Sequence, residues 1–193
     1  MTPPCAPGSL GALTSLVLGG IRSGKSAVAE GLVEESAALT GSTVTYVATG
    51  PLLNDADWAE RVAAHERRRP STWRTVESTD LPSALADLAG PAIVDGLGTW
   101  LTAQLDELHA WDAPRADWEP AIQDRVAALA RSVGHHRHPL VLVSDEAGLT
   151  LVPENRAGRI FLDWLGLTNQ RVAAVCDAVL LVVAGQVVPV KHP

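Results

Sequence analysis

The stretch LVLGGIRSGKSAVAE, residues 16–30, constrains the fold of this chain more than any other part of the sequence. It matches the pattern G-x-x-x-x-G-K-[ST], in which a strand leads through a glycine-rich turn into a helix. The glycines let backbone N–H groups face inward, and the helix N-terminus adds positive potential where a phosphate would sit. The sequence therefore predicts a phosphate-binding loop (P-loop), made of Gly19, Gly20, Ile21, Arg22, Ser23, Gly24, Lys25 and Ser26.

The side chains of the P-loop indicate how it would hold a nucleotide. We expect Lys25 to reach the β- and γ-phosphates and Ser26 to bind Mg²⁺ through its hydroxyl. Arg22 would add charge near the phosphates or face a substrate. The alternative is a glycine-rich turn with a surface lysine, but the strand before the motif and the helix after it favour nucleotide binding.

A P-loop enzyme also needs an acidic residue near the end of another strand to hold the magnesium shell. Asp95 ends the run AIVD, and Asp145 and Glu146 end the run LVLVSDE. The alternative for each is an acidic helix cap or loop residue, which is common after strands. We expect at least one of them to serve the metal. The sequence lacks the N-K-x-D signature of regulatory GTPases, so a switch protein of that type is not expected.

Short apolar runs alternate with longer segments of helical spacing, which predicts an α/β fold of the P-loop NTPase-like (RecA-like) type, a mostly parallel sheet flanked by helices. The C-terminal LVVAGQVVPVK predicts two strands joined through Gly185-Gln186, with an antiparallel edge strand that accommodates Pro189. The predicted strands are 15–18, 43–48, 92–94, 140–143 and 178–183, and the predicted helices are 26–38, 57–68, 121–131 and 157–174.

Length and composition indicate a globular protein that binds a small molecule. With 193 residues and 47% hydrophobic content, we expect a single catalytic domain at 15–193 after a flexible, Pro- and Gly-rich arm at 1–14. The net charge of −7 argues against a nucleic-acid partner. Cys5 and Cys176 show no metal-type spacing and are interpreted as free thiols of a reducing compartment. No segment reaches the roughly 18 apolar residues of a membrane span, so we expect a cytoplasmic protein without stable membrane insertion.

Three segments together resemble a known family. They are GGIRSGKS, YVATGPLLNDADWAERVAAHERRRPSTWRTVE and VSDEAGLTLVPENRAGRIFLDWLGLTNQRVAAVCDAVLLVVAGQVVPVK. From Ser15 to Lys191 the chain resembles adenosylcobinamide kinase/adenosylcobinamide-phosphate guanylyltransferase. The resemblance implies that a nucleoside triphosphate, GTP or ATP, phosphorylates the aminopropanol hydroxyl of adenosylcobinamide. GTP then transfers GMP to the new phosphate through a guanylyl-histidine, releasing pyrophosphate. It also implies Mg²⁺, a corrinoid substrate and a homotrimer.

The resemblance implies that His65 is the nucleophile, in an H-x-x-x-R-P context before Arg69-Pro70. Neutral imidazole is a competent nucleophile near neutral pH, and a covalent intermediate divides one hard displacement into two easier ones. One or more of Arg67, Arg68 and Arg69 would offset triphosphate charge in the transition state. The alternative for most of them is a solvated basic helix end.

Other positions are implied by the same resemblance. Ala48, Thr49 and Gly50 would lie beside the P-loop, with Gly50 standing where the family has serine. Glu77 would lie near the guanine or ribose, with an exposed strand end as the alternative. Asp95 stands where some relatives have glutamate. The segments VPENR and TNQRVA also match, and we expect them to support the active site or a subunit contact.

Two rival functions stay open from the sequence. A P-loop kinase for another small molecule would transfer the γ-phosphate without a covalent nucleotide, and a nucleotide-binding regulatory module would hydrolyse slowly and change partners. The histidines of GHHRHP lack a cysteine or carboxylate at ligand spacing, so no metal site is expected there. We expect Trp100 and Trp164 in the core and Trp73 in packing, whereas Trp111 and Trp118 fall in a variable-looking acidic segment.

Overall fold

The computed structural model describes residues 14–50 and 69–192. Within these residues seven strands form one sheet in the order β3-β2-β4-β5-β1-β6-β7. All neighbouring strands are parallel except β6 and β7, which are antiparallel. The strands are β1 (Thr14–Gly19), β2 (Thr45–Ala48), β3 (Arg74–Glu77), β4 (Ala92–Asp95), β5 (Leu140–Asp145), β6 (Ala178–Val183) and β7 (Gln186–Lys191). The predicted α/β fold with an antiparallel C-terminal edge strand is confirmed.

Helices cover both faces of the sheet. They are α1 (Lys25–Thr40), α2 (Leu81–Ala86), α3 (Leu97–Glu107), α4 (Arg115–His135) and α5 (Arg156–Val175). On one face, α1 packs Ala29 and Val33 against Val17, Ile93 and Val143. The opposite face carries a larger apolar cluster that includes side chains of α2, α3, α4 and α5. Among the described helices, none has the length and apolar character that crossing a membrane requires.

The strand predictions identify the central strands and misplace some of their ends. β6 has the predicted bounds, whereas β5 continues two residues further, to Asp145. β1 begins at Thr14, inside the predicted arm, because the backbone N–H and hydroxyl of Thr14 donate to the Asp177 carboxylate over 2.8 and 3.0 Å. The rest of the predicted arm and the predicted helix 57–68 lie outside the described residues.

The sequence analysis gave no bounds for β3, α2 or α3, and the first two are short. β3 is a four-residue edge strand that is mostly exposed, so it lacks a buried apolar run. The six-residue α2 follows Asp80, whose carboxylate accepts a hydrogen bond from the Ser83 N–H over 3.2 Å, with proline in its first turn. Aspartate before proline is a helix-start signal that could have identified α2.

Helix α4 corrects two expectations. It begins at Arg115 instead of Ala121, because the helix continues through Pro120 at the loss of one backbone hydrogen bond. Trp118, which we assigned to an acidic segment, is 1% exposed and packs edge-to-face on Trp164, with ring centroids 6.1 Å apart. The predicted burial of Trp100 and Trp164 is confirmed. Trp73 packs against the α1-side cluster, as predicted.

Cys176 is a free, buried thiol, as predicted, whereas Cys5 lies outside the described residues. Burial raises the pKa of the Cys176 thiol to about 12. Because the thiolate is the reactive form, we predict that a Cys5→Ser variant does not react with a thiol reagent at about pH 8 while folded and reacts fully once unfolded. Absorbance measures the reaction. Rapid modification of the folded variant would contradict the prediction, because it would show that the Cys176 thiol is accessible in the folded protein.

Candidate nucleotide-binding site

The loop between β1 and α1 has the backbone shape of an anion-binding turn. The Ser23 N–H donates to the Gly20 carbonyl over 3.2 Å, and Arg22 and Gly24 have positive φ angles of 58° and 95°. Helix α1 begins at Lys25, whose N–H donates to the Ser23 hydroxyl oxygen over 3.3 Å, and the N-cap residue Gly24 has no side chain to bond the N–H groups that follow. Uncapped N–H groups at a helix N-terminus favour a bound anion. The turn therefore has the form that a triphosphate site requires.

Gly19 is required by the close packing around the loop. A Cβ atom at Gly19 would lie 2.4 Å from the Ser23 Oγ and 2.7 Å from the Val182 carbonyl oxygen. The turn between β6 and β7 contacts the P-loop directly, since the Gly185 N–H donates to the Ser23 carbonyl over 2.8 Å. The C-terminal hairpin thus contributes to the shape of the P-loop.

Lys25 and Asp145 form an ion pair at the carboxyl edge of the sheet. The Lys25 Nζ lies 2.7 Å from the Asp145 Oδ1 and also donates to the Gly20 carbonyl over 3.3 Å. The Lys25 side chain is 15% exposed and that of Asp145 is 47% exposed. The structure therefore brings together the lysine predicted to bind phosphate and one of the acids predicted to hold metal. Ser26 follows in the first turn of α1 and is half-buried.

Glu146 differs from Asp145 in what its carboxylate contacts. The Glu146 N–H donates to the Gly19 carbonyl over 3.1 Å, which extends the contact between β1 and β5. The Glu146 Oε1 accepts a hydrogen bond from the Gly148 N–H over 2.6 Å. Glu146 therefore closes the turn after β5, whereas Asp145 points to the P-loop lysine.

A second group of polar residues lies on the β2 side of β4. The Tyr46 hydroxyl donates to the Asp95 Oδ2 over 3.0 Å, and the Arg69 guanidinium stacks on the Tyr46 ring, 3.5 Å from its centroid. Arg69 also donates to the Thr75 hydroxyl over 3.3 Å. Burial, followed by the Asp95 charge, raises the pKa of Tyr46. Tyr46 thus connects Asp95 with the arginine of the H-x-x-x-R-P motif.

Glu77 is the last residue of β3, an outermost strand of the sheet on the side away from β6 and β7. The strand registers align Glu77 with Ala48, and Ala48 with Asp95, across β3, β2 and β4. β3 is four strands away from β1 in the sheet, or about 19 Å at the usual spacing of about 4.8 Å. Glu77 and Lys25 of one chain therefore do not bind the same phosphate. A contact of Glu77 with the guanine or ribose stays a prediction.

The Thr49 hydroxyl has partners within the protein. Thr49 is fully buried, and its Oγ1 donates to the Gly96 carbonyl over 2.6 Å, accepts from the Gly96 N–H over 3.1 Å and lies 2.6 Å from the Thr99 Oγ1. Thr49 thus fixes the turn after Asp95. Ala48 and Gly50 flank it at the end of β2, and their predicted proximity to nucleotide stays a prediction.

The remaining predicted residues divide into two groups. His65, Arg67 and Arg68 lie outside the described residues, so their roles stay predictions. The VPENR segment has structural contacts, since Asn155 caps α5 by accepting the Gly158 N–H over 2.6 Å, and Arg156 donates to the Ala113 carbonyl over 2.6 Å.

The histidines of GHHRHP precede β5, at the sheet edge opposite the P-loop. The rings of His136 and His138 meet edge-to-face with centroids 5.8 Å apart, and burial lowers the pKa of His136. Within residues 14–50 and 69–192 there is no group of three metal-binding side chains. Because they lie before β5 and the P-loop lies after β1, these histidines are separate from the nucleotide site.

Tyr46 and Asn169 are two polar residues of this region that sequence reasoning missed, as it also missed Thr99 and Ser144. Tyr46 is the chain's one tyrosine and lies within an apolar strand, where an aromatic residue usually indicates core packing. Asn169 belongs to the TNQRVA segment, to which the sequence analysis gave no specific role.

We predict that Gly19→Ala destabilises the protein by about 2 kcal/mol, because the added methyl group overlaps backbone and side-chain atoms. Gly20→Ala is the matched control, since a Cβ at Gly20 has no neighbour within 4 Å. Its effect should stay below about 0.5 kcal/mol. Urea unfolding without nucleotide measures both changes, and equal effects of the two substitutions would contradict the packing described for Gly19.

Comparison with known proteins identifies the family to which the chain is similar. Residues 15–190 match the family model described as cobinamide kinase / cobinamide phosphate guanyltransferase. The bifunctional adenosylcobalamin biosynthesis protein CobU of Salmonella typhimurium is 38% identical over 184 residues, which cover 91% of this chain and 98% of that protein. The bifunctional adenosylcobalamin biosynthesis protein CobP of Pseudomonas aeruginosa is 37% identical over 186 residues, covering 93% and 98%.

Among solved structures, the flagellar accessory protein FlaH of Methanocaldococcus jannaschii shows a TM-score of 0.45 at 14% identity, covering 93% of this chain and 78% of that one. This similarity is too weak to add to the description of the fold. The family match and the relatives, in contrast, cover nearly the whole chain. The chain therefore belongs to the cobinamide kinase / cobinamide phosphate guanyltransferase family.

Proposed function

We propose that this chain is a bifunctional enzyme that phosphorylates the aminopropanol hydroxyl of adenosylcobinamide and then transfers GMP from GTP to the new phosphate. The observation that carries the proposal is the intact P-loop with Lys25 2.7 Å from Asp145, in a chain of this family. Both steps would use a triphosphate held by the same P-loop, the first exposing its γ-phosphorus and the second its α-phosphorus. Their products would be adenosylcobinamide phosphate and adenosylcobinamide-GDP.

In the kinase step, the acceptor hydroxyl oxygen attacks the γ-phosphorus of ATP or GTP. The bond from the γ-phosphorus to the bridging oxygen breaks, the nucleoside diphosphate leaves, and the hydroxyl proton is lost to solvent or to a nearby base. Negative charge spreads over the phosphoryl oxygens, where Lys25 and the open N–H groups of the loop stabilise it. Arg22 in the exposed part of the loop would face the same phosphates or the acceptor.

In the transferase step, His65 attacks the α-phosphorus of GTP and pyrophosphate leaves. The phosphate of adenosylcobinamide phosphate then attacks the guanylyl-histidine and restores the free imidazole. Arg69 would offset charge during this step, and Glu77, Ala48 and Gly50 would contact the nucleotide. Thr49, which is fully buried, would support them by fixing the turn after Asp95. The distance of β3 from β1 supports a place for Glu77 at the nucleoside end of the nucleotide instead of the phosphate end.

Mg²⁺ fits the oxygen donors of this site, because carboxylate and hydroxyl oxygens are the ligands that this ion uses. Ser26 and Asp145 would hold it, with Glu146 or Asp95 as the other carboxylates at this edge. Bound there, Mg²⁺ would neutralise charge on the triphosphate oxygens. Of these acids, Asp145 is the best candidate for a magnesium ligand, because its side chain is 47% exposed and its carboxylate contacts the P-loop lysine.

The proposal extends to the setting of the enzyme. The substrates are a nucleotide and a corrinoid, and the net charge of −7 supports the absence of a nucleic-acid partner. The free thiol of Cys176 is typical of a reducing compartment, which supports a cytoplasmic enzyme. A homotrimer follows from the family resemblance.

Labelled GTP tests the proposed mechanism directly. The protein is incubated with Mg²⁺ and either α-labelled or γ-labelled GTP, denatured and analysed for bound label. We predict stoichiometric label from the α-phosphate that is stable to alkali and labile to acid, as expected of a histidine phosphoramidate, and no label from the γ-phosphate.

Two histidine variants provide the matched comparison for this experiment. His65→Ala should lose the label, whereas His138→Ala should keep it, because His138 lies at the opposite edge of the sheet. A protein that binds GTP and phosphorylates adenosylcobinamide but takes up no α-label would overturn the guanylyl-histidine and favour a simple kinase.

A further inference from the structure

Asn169 is a buried amide in the interior of helix α5, where its residue type is unfavourable. It is 7% exposed, and asparagine has a lower helix propensity than most residues. A buried amide is costly unless it is hydrogen-bonded. A specific set of contacts must therefore offset its presence in the core.

The Asn169 side chain makes two contacts, both to the end of β5. Its Oδ1 accepts a hydrogen bond from the Ser144 hydroxyl over 2.6 Å, in a fully buried position. Its Nδ2 donates to the backbone carbonyl of Asp145 over 3.0 Å. One amide thus binds two successive residues, the second of which carries the carboxylate that pairs with Lys25.

The strand pairing explains why Asp145 uses this support. On the β4 side the register ends where Asp95 pairs with Val143, so Asp145 lies beyond the last paired position. On the β1 side Asp145 is aligned with Gly19, and the next N–H, of Glu146, donates to the Gly19 carbonyl. The amide of Asn169 therefore provides a contact where the neighbouring strand has ended.

We propose that Asn169 is a positioning residue that fixes Asp145 against the P-loop lysine. This inference rests on the proposed function only for the identity of the reaction that the nucleotide site serves. With the Asp145 backbone held by α5 and by β1, its carboxylate is directed to Lys25 at 2.7 Å. The same carboxylate lies close to α3, since a Cβ atom at Gly98 would be 3.4 Å from the Asp145 Oδ2. Asn169 thus acts on nucleotide binding through Asp145, without contacting the nucleotide.

Substitutions at Asn169 separate its two hydrogen bonds. Asn169→Asp keeps an acceptor for Ser144 but places a second oxygen against the Asp145 carbonyl, and Asn169→Leu removes both contacts at similar volume. We predict that each weakens the binding of Mg²⁺ with GTP by about tenfold, the effect of one buried hydrogen bond. Ser144→Ala, which leaves the contact with Asp145 in place, should have a smaller effect.

Thr168→Val is the matched control for general destabilisation. Thr168 is the neighbouring residue of α5, is fully buried, and its hydroxyl donates to the Trp164 carbonyl of the same helix over 2.7 Å. It should lower the free energy of unfolding, measured in urea, without changing the affinity for GTP. The binding comparison is then made at a temperature where every variant is folded.

A double-mutant cycle with Asp145→Asn gives the decisive readout. If Asn169 acts through the Asp145 carboxylate, Asn169→Leu should have less than about a twofold effect on GTP affinity in the Asp145→Asn background. A tenfold loss that persists in that background, or an equal loss in Thr168→Val, would overturn the proposal. Should Asn169→Leu fail to fold, the same cycle with Asn169→Asp decides it.

The cycle is independent of the corrinoid reactions. GTP binding is measured in the His65→Ala background without a corrinoid acceptor, so that no guanylyl-histidine forms, and a chain that phosphorylated another substrate would give the same coupling. Absence of guanylylated His65 would contradict the proposed function and leave the positioning role of Asn169 intact. If the coupling between Asn169 and Asp145 is lost while His65 is still guanylylated, the positioning role is contradicted and the proposed function stands.

Discussion

The parallel pairing of β1 with β5 is the constraint on which the nucleotide site depends. It aligns Gly19 with Asp145, so that the P-loop begins beside the end of β5. The 2.7 Å ion pair between Lys25 and Asp145 follows from this register. Alternate residues of both strands pack into the two different apolar clusters on the two faces of the sheet, leucines into the larger cluster and valines into the α1-side cluster. A slip of either strand by one residue would exchange these side chains between the clusters, which fixes the register. The core of the sheet therefore determines the geometry of the charged groups at its edge.

The carboxyl edge extends from this ion pair towards β3. Next to β5 lies β4, whose Asp95 accepts a hydrogen bond from Tyr46, and Arg69 stacks on the ring of that tyrosine. Thr49 and the turn after Asp95 hold β2 and β4 together beside this group. The arrangement supports our proposal that one nucleotide site exposes the γ-phosphorus in one step and the α-phosphorus in the other, since polar groups continue along the edge away from the P-loop.

The sequence predicts those features that depend on neighbouring residues. The P-loop is visible because glycine, lysine and serine occur at fixed spacing between a strand and a helix, and the central strands are visible as continuous apolar runs. The choice of Asp145 over Glu146 as the partner of Lys25 is not visible, because the two acids are adjacent in sequence and differ only in which way strand geometry directs them. Trp118 was misplaced because its burial depends on contact with Trp164, 46 positions later. The role of Asn169 likewise depends on the packing of α5 against the end of β5.

The central claim is that one P-loop serves both phosphoryl and guanylyl transfer. The most direct measurement compares Lys25→Ala with the unaltered protein in two separate assays, γ-label transfer to adenosylcobinamide and α-label transfer to the protein without acceptor. Our account predicts that both rates fall together by two or more orders of magnitude, roughly the loss expected when a charge-stabilising donor is removed. Loss of the kinase reaction with undiminished guanylylation of the protein would contradict it and require a second triphosphate site.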